Sequence, residues 1–390
     1  MATMSDWGLD PKIAFLNHGS FGASPVKVLA EQRRLRDRME ANPVQFFAFE
    51  VTELLSDARL RAADFVGTAP NGFAFLANAT AGVNTLLRSV PLEAGDEILM
   101  TDHGYEACNL AAEHIAARRG ASVRFARLPV PATDTQELRT SVLDAVTAKT
   151  RIAVVDHITS PTSLVLPVEE IVSDLAALDV GTIVDGAHAP GQLALEIDAI
   201  GALGYAANWH KWVCAPKGAG FLSASREWRQ YGSPLVISHG AGYGGTGDVR
   251  FRDMFDWTGT ADPTPFLSVP TAIEVVGGML DGGWPAIRDR NHDVALHMRD
   301  RLVEEFGLTP TGSPDLTGSM VSFVLPARWR GSSDPRQAAG EFQRRLNDEF
   351  GVVVAAATRR HSDDVFLRVS AHLHTGEDTV ERLVSALHSF

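Results

Sequence analysis

Cysteine is scarce in this 390-residue chain, which contains only Cys108 and Cys214. Two cysteines cannot build a disulfide framework, and these two form neither a CxxC pair nor a cysteine–histidine cluster with zinc spacing. The sequence therefore predicts no metal site. Cys214 is interpreted as a core residue rather than a nucleophile.

Long apolar stretches and an excess of basic residues are also absent. No apolar run reaches about 18 residues, and residues 1–6 lack the basic and apolar regions of an export signal. The net charge is −13, and the arginine-rich stretch 33–36 is interrupted by Glu31, Asp37 and Glu40. Because phosphate neutralisation needs a basic face, we expect neither nucleic-acid nor membrane partners. We place the protein in the cytoplasm.

What the chain does contain is an alternation of apolar runs and amphipathic segments, with 45% hydrophobic residues to fill a core. This alternation predicts an α/β protein with a mostly parallel, seven-stranded sheet and helices on both faces. The predicted strands are 73–76, 97–100, 122–126, 151–155, 181–184, 203–206 and 219–222. The predicted helices are 26–40, 45–66, 80–89, 106–119, 136–147 and 168–178.

The pattern changes beyond a glycine-rich loop at 239–247, because Pro263, Pro265 and Pro270 interrupt regular structure there. The remainder predicts a smaller α+β domain. Its helices are expected from about 270 and at 286–306, 335–350 and 377–389, and its strands at 319–325, 352–356 and 365–370. We therefore divide the chain into an N-terminal segment, 1–24, a large domain, 25–265, and a small domain, 266–390.

Lys211 and Asp185 are the strongest functional signal. Asp185 ends an apolar strand, and Lys211 follows the next strand 26 positions later. Either residue alone has ordinary explanations, such as a helix-capping or metal-binding carboxylate and a solvated lysine. Together they suggest pyridoxal 5'-phosphate (PLP): the amine would bind the cofactor aldehyde covalently, and the carboxylate would keep the pyridine nitrogen protonated.

Other residues could complete such a site. The turn at Ala79 and Thr80 offers backbone N–H groups and a hydroxyl at a helix N-terminus, which favours a phosphate, although an ordinary helix cap explains it equally well. Asn208 and His210 flank Lys211 and are further phosphate donors. Tyr105 is placed to stack on the pyridine ring. His188 and Ser160 could both reach the phenolic oxygen of the cofactor.

Several motifs along nearly the whole chain resemble one family. They are 16–22 LNHGSFG, 101–105 TDHGY, 160–163 SPTS, 185–191 DGAHAPG, 210–218 HKWVCAPKG and 367–371 LRVSA. The chain thus resembles the class V, fold-type I PLP-dependent enzymes, in the branch typified by isopenicillin N epimerase. The resemblance implies a homodimer in which the N-terminal segment lines the active site.

The resemblance also implies residue roles. Lys211 is the lysine that binds the cofactor, Asp185 is the partner of the pyridinium, Tyr105 stacks on the ring and His188 lies near the phenolate. Thr260 reaches the phosphate across the dimer interface. Arg368 binds the substrate α-carboxylate, and a planar guanidinium suits this task because it holds a carboxylate with two hydrogen bonds.

Asn17, His18 and Tyr243 are further expected to contact the substrate. The chain departs from related cysteine desulfurases in that its segment 357–364 contains no cysteine, which argues against persulfide chemistry of that type. It also departs from the epimerases at His18, Asn208 and Trp209.

After removal of the α-proton, three outcomes remain open: elimination of a β-sulfur, epimerisation, or transamination. Loss of the carboxylate, with or without later oxidation by dioxygen, is a fourth route. The sequence favours C–S β-elimination from a cysteine-derived amino acid, with epimerisation as the alternative.

Overall fold

The N-terminal segment pairs with a strand from the C-terminal part of the chain. The computed structural model describes residues 4–390, so residues 1–3 of the predicted segment 1–24 lie outside the described residues. The segment contains helix α1 (Met4–Trp7), strand β1 (Ala14–Phe15) and helix α2 (His18–Phe21). Strand β1 pairs in parallel with residues 352–353. Further along the segment, the Ser24 hydroxyl donates to the Ala215 carbonyl of the large domain.

Seven strands form the central sheet, and each overlaps a predicted strand. They are β2 (Phe73–Leu76), β3 (Glu97–Thr101), β4 (Ser122–Ala126), β5 (Thr150–Asp156), β6 (Gly181–Asp185), β7 (Gly204–Asn208) and β8 (Gly220–Ala224). Their order is β2-β8-β7-β6-β5-β3-β4. Only β8 runs antiparallel to its neighbours, β2 and β7, and the other pairings are parallel.

Helices cover both faces of this sheet. They are α3 (Val26–Ala41), α4 (Pro43–Gln45), α5 (Val51–Phe65), α6 (Ala79–Ser89), α7 (Glu106–Arg119), α8 (Thr135–Leu143), α9 (Val168–Ala177), α10 (Ile197–Ile200), α11 (Trp228–Tyr231), α12 (Gly247–Asp256), α13 (Thr264–Leu267) and α14 (Val269–Gly277). Successive strand residues enter different cores: Val154 packs into one layer, and Val155 packs into the other. The nearly continuous apolar strands are therefore buried on both sides, as is typical of parallel sheets.

The C-terminal part has its own sheet and core. Its elements are α15 (Gly283–Phe306), β9 (Thr309–Pro310), β10 (Met320–Val324), α16 (Pro335–Phe350), β11 (Val352–Val353), β12 (Ala355–Thr358), β13 (Val365–Ser370) and α17 (Glu377–Leu387). Strands β12, β13, β10 and β9 form an antiparallel sheet in that order. Met298, Phe323, Leu367 and Leu383 meet in a core separate from those of the large sheet. The boundaries proposed at residues 24 and 265 remain predictions.

Three local predictions differ from the structure, and the helices α10, α11, α12 and α13 were not predicted. The helix predicted at 45–66 is divided, because a π-helical turn at Phe46–Glu50 separates α4 from α5, and such a turn inserts an extra residue and shifts the helix face. The helix predicted at 136–147 ends at Leu143. The strand predicted at 352–356 is two strands, β11 and β12, which belong to different sheets. Within residues 4–390, we find no helix with the length and apolarity needed to cross a bilayer.

Candidate active site

The carboxyl ends of three neighbouring strands carry polar residues at one edge of the sheet. Asp156 ends β5, Asp185 ends β6 and Asn208 ends β7, and Asp156 is the direct register partner of Asp185. Ligands bind at this edge in open α/β sheets. All three residues line a cavity of about 350 Å³, the inner cavity, together with Ser20, Phe21, Ala77, Asn78, Ala79, Thr80, Tyr105, Ile158, Ser160, Ala187, His188, His210, Lys211 and Gly218.

Lys211 projects into the inner cavity from the segment that follows β7. Its Nζ lies 3.2 Å from His188 Nε2, and the Trp212 indole N–H donates to His188 Nδ1 at 3.4 Å. Burial, and secondarily the positive charge of Arg368, lowers the pKa of Lys211 to about 7. Because His188 Nδ1 accepts from Trp212, His188 Nε2 carries the proton and can donate to a neutral Lys211 amine.

Asp185 is buried and accepts two hydrogen bonds. Ala187 N–H donates to Oδ1 at 3.0 Å, and the Cys108 thiol donates to Oδ2 at 3.1 Å. Burial nevertheless raises the pKa of Asp185 and, together with the charge of Asp185, that of Asp156 well above its usual range. A cationic ring nitrogen beside Asp185 would compensate the cost of its buried charge. The donor set therefore fits a protonated pyridine.

The N-terminus of α6 forms another wall of the inner cavity. Asn78 caps the helix through its Oδ1, which accepts from Ala81 N–H at 2.9 Å. Ala79 N–H already donates to Asn208 Oδ1 at 2.8 Å, so Asn208 can offer a ligand only its NH₂ group. Thr80 lines the cavity, and His210 Nδ1 lies 2.8 Å from the Ala219 carbonyl oxygen. This side of the cavity fits a phosphate through the helix dipole and side-chain donors.

Arg368 is a buried cation whose partners are all neutral oxygens. One guanidinium nitrogen donates to the Ser160 carbonyl at 2.7 Å, and the other donates to Ser20 Oγ at 3.0 Å and Asn17 Oδ1 at 3.5 Å. Its Nε has no hydrogen-bond partner, and burial lowers the pKa of the group to about 10. Asn17 thus contacts Arg368 and does not line the inner cavity.

Besides Asn17, three other predicted residues lie away from the inner cavity. Tyr243 and Thr260 are exposed and do not line it. His18 is fully buried behind Lys211, with its Nε2 3.0 Å from the Lys211 carbonyl oxygen and its Nδ1 3.1 Å from His374 Nε2. His18 is therefore placed to support the Lys211 backbone.

Sequence reasoning did not identify a cluster that includes His18. His18, His372 and His374 each offer a ring nitrogen, and these atoms lie within 4.8 Å of one another, which is close enough to hold a metal ion. The rings of His18 and His372 are stacked, with centroids 4.1 Å apart, so their lone pairs lie in nearly parallel planes and do not converge. The contacts are those of neutral imidazoles joined by hydrogen bonds. The absence of a metal stays a prediction.

Two further residues were missed. Asp156 gives the same signal as Asp185, because it also ends an apolar strand. Cys108 gives no signal, since nothing in its local sequence indicates that helix α7 directs its thiol to Asp185.

Comparison with known proteins defines the class of this site. The family model for aminotransferase class V matches residues 20–267, and the chain belongs to that family. The predicted resemblance, the fold and the PLP cofactor are thereby confirmed. Asp185 and Lys211 both fall within the matched residues.

Individual relatives include both leading reaction types. The isopenicillin N epimerase of Streptomyces clavuligerus is 34% identical over 97% of this chain and 95% of its own length. A putative L-cysteine desulfhydrase of Oryza sativa is 32% identical over 80% of this chain and 67% of its own length. A solved structure of the cystine C–S lyase C-DES with cysteine persulfide has a TM-score of 0.82 at 21% identity, covering 97% of this chain and 98% of that one. The predicted enzyme class, a PLP-dependent lyase or epimerase, is thus confirmed.

Proposed function

We propose that this enzyme cleaves the C–S bond of a cysteine-derived L-amino acid by β-elimination. The observation that carries the proposal is Arg368, a buried guanidinium with only neutral partners, two of which, Ser20 and Ser160, line the cavity that also holds Lys211. A buried cation without an anion is costly, and a substrate carboxylate would compensate it. The desulfhydrase and C–S lyase among the relatives support the choice of sulfur substrates.

The residues of the inner cavity divide among the parts of the cofactor. Lys211 would bind the aldehyde and Asp185 the pyridine nitrogen. Thr80, Asn208 and His210 would hold the phosphate, while Tyr105, His188 and Ser160 would contact the ring and its phenolic oxygen. When bound, PLP accepts the electron pair released at the substrate α-carbon.

The chain's own residues then perform three tasks. Arg368 binds the α-carboxylate and fixes which α-carbon bond faces the cofactor. The neutral Lys211 amine removes the α-proton, which its lowered pKa permits near pH 7. The sulfur departs with the bonding electron pair and takes up a proton, and hydrolysis of the remaining fragment gives pyruvate and ammonia.

Epimerisation is the second candidate. It is favoured by the 34% identity to an isopenicillin N epimerase over nearly the full length of both chains. It would require that a proton return to the opposite face of the α-carbon. Decarboxylation and transamination are further outcomes that the same experiment distinguishes.

The proposed enzyme is a cytoplasmic homodimer. Closed two-fold dimers are the commonest assembly, and several large apolar side chains are exposed on this chain, among them Phe21, Ile237 and Tyr243. The exposed position of Thr260 suits a contact with the cofactor phosphate in the neighbouring subunit. Substrate contacts by Asn17 and His18 would be indirect, through Arg368 and the Lys211 backbone.

Product analysis tests the reaction. The enzyme is incubated with S-substituted L-cysteines in deuterated water, and all products are identified. We expect thiol, pyruvate and ammonia in equal amounts from the wild type and none from Lys211→Ala. Lys217→Ala is the matched control, because Lys217 is an exposed neighbour outside the inner cavity, and it should retain turnover. Recovery of intact substrate with inverted configuration and α-deuterium would support epimerisation instead of elimination.

A further inference from the structure

A second, larger cavity adjoins the inner one. This outer cavity has a volume of about 770 Å³ and shares Tyr105 and Ser160 with the inner cavity. One wall is the start of α7, and the opposite wall is formed by the start of α16 and by residues 359–362, which follow β12. If the enzyme acts as proposed above, a substrate held at Arg368 and Lys211 has room for a long side chain that passes Tyr105.

Arg359 lines the outer cavity with one edge of its guanidinium already anchored. Its Nη1 donates to Asp102 Oδ2 at 3.1 Å and to the Leu128 carbonyl at 3.1 Å, and it contacts His103 Nε2 at 2.8 Å. Burial and the charge of Arg359 lower the pKa of His103 to about 3, so His103 is neutral and its Nε2 accepts the hydrogen bond. These contacts fix the guanidinium in one orientation.

The other edge of Arg359 has no close partner. Its Nε is a buried donor without a hydrogen-bond partner, and Nη2 has only a distant ion-pair contact, 3.9 Å from Asp364. In a guanidinium, Nε and Nη2 together form an edge that can bind a carboxylate through two parallel hydrogen bonds. The side chain is only 15% exposed, so a ligand bound there would be largely screened from water.

The neighbouring charges leave Arg359 as the cation best suited to a ligand. Arg360 is already paired with Glu106 and Glu113, and Arg336 is 79% exposed with its nearest carboxylate at 3.7 Å. Asp102, the anchor of Arg359, is also approached by Arg127 at 3.7 Å, so one buried carboxylate faces two guanidinium groups.

We propose that Arg359 binds a carboxylate at the far end of the substrate side chain. The substrate class is then an S-conjugated cysteine whose sulfur substituent ends in an acid group. Arg368 would hold the α-carboxylate in the inner cavity, and Arg359 would hold the distal carboxylate in the outer cavity. Cysteine itself would fill only the first of these positions.

Matched substrates test the proposal. S-(ω-carboxyalkyl)-L-cysteines with increasing numbers of methylene groups are compared with the corresponding ω-carboxamides, which have the same shape without the charge. For the chain length that reaches Arg359 we expect the wild type to prefer the acid about 10- to 100-fold in kcat/KM, the range for hydrogen bonds between charged groups. Arg359→Gln should reduce this preference to about one while turnover of the amide persists.

Two further variants control for structural damage. Arg359→Lys keeps the charge but not the two-donor edge, so it should lose most of the preference and remain folded. Arg336→Gln, on the same cavity wall, should keep the preference. An acid–amide ratio near one in the wild type at every chain length, with elimination intact, overturns the distal site and leaves the proposed reaction standing.

Binding separates this inference from the reaction. Lys211→Ala loaded with PLP should not turn over, so dissociation constants for the acid and the amide can be measured by calorimetry in that variant and in Lys211→Ala/Arg359→Gln. Tighter binding of the acid that depends on Arg359 supports the distal site even if the wild type eliminates no thiol. Equal binding of acid and amide in both variants contradicts it.

Discussion

At the residue scale, Lys211 and Arg368 are two basic side chains with different tasks. Burial lowers the pKa of both Lys211 and Arg368, to about 7 and about 10. A guanidinium at that value stays charged at neutral pH, whereas a substantial fraction of the amine is neutral. Each group also repels the charge of the other. Arg368 is thereby suited to bind an anion, and Lys211 is suited to act as a nucleophile and base.

The pH dependence of cofactor attachment should follow Lys211. Only the neutral amine attacks an aldehyde, so the rate of covalent PLP attachment to cofactor-free protein should rise up to about pH 7 and level off above it. Arg368→Met removes a charge that lowers the pKa of Lys211, so the midpoint should move to higher pH. Borohydride reduction at timed intervals, followed by mapping of the labelled peptide, measures the rate. A label on Lys217, or a midpoint that moves to lower pH, would contradict the assignment.

At the scale of elements, the sequence specifies the sheet better than the helix boundaries. Ile152–Val155 is apolar and largely β-branched, and a strand follows from it regardless of its neighbours. The division of 45–66 by a π-helical turn and of 352–356 into two strands depends on packing partners far along the chain. Residue 354 contributes a carbonyl that accepts from the Asn17 side chain at 3.3 Å, and no local pattern reveals this contact.

The same distinction applies to the site. Asp185, Asn208 and Lys211 follow from the rule that ligands bind at strand ends, which is why the sequence places them together. Cys108, His374 and Arg359 reach their positions through long-range packing, so their contacts are not evident from spacing. His18 was expected to contact the substrate, but the fold places its ring against the backbone of Lys211.

The N-terminus of α6 offers a prediction about an element. Asn78→Ala removes the helix cap and should lower the free energy of unfolding of the cofactor-free protein by about 1 kcal/mol. It should also weaken PLP binding, because the first turn of α6 lines the inner cavity at the position proposed for the phosphate. Asp134→Ala is the matched control, since Asp134 caps the distant helix α8 in the same way. It should lose similar stability with no change in the PLP dissociation constant. An equal loss of PLP affinity in both variants would remove α6 from the phosphate site.

At the scale of the whole molecule, the chain buries an unusual number of neutral imidazoles. Burial is the largest cause that lowers the pKa of seven histidines: His18, His103, His157, His188, His210, His372 and His374. Their partners include backbone carbonyls, hydroxyls and one another, and His103 and His188 also contact nitrogens of Arg359, Lys211 and Trp212. The folded state therefore resists protonation at a pH where the unfolded chain takes up protons readily.

Acid should consequently destabilise the cofactor-free protein below about pH 6.5. There the unfolded chain binds more protons than the folded one, so each buried histidine removes about 1 kcal/mol of unfolding free energy between pH 7 and pH 5.5. Carboxyl groups whose pKa is raised in the fold, such as Asp156, titrate in the opposite sense, but they are fewer. Urea unfolding at several pH values measures the slope. The pKa of His157 is lowered to about 4. His157→Gln should therefore reduce the number of protons taken up on unfolding by about one, which makes the unfolding free energy less dependent on pH. His297→Gln at the exposed surface should not. A stability that is constant from pH 7 to pH 5.5 would show that these histidines titrate normally.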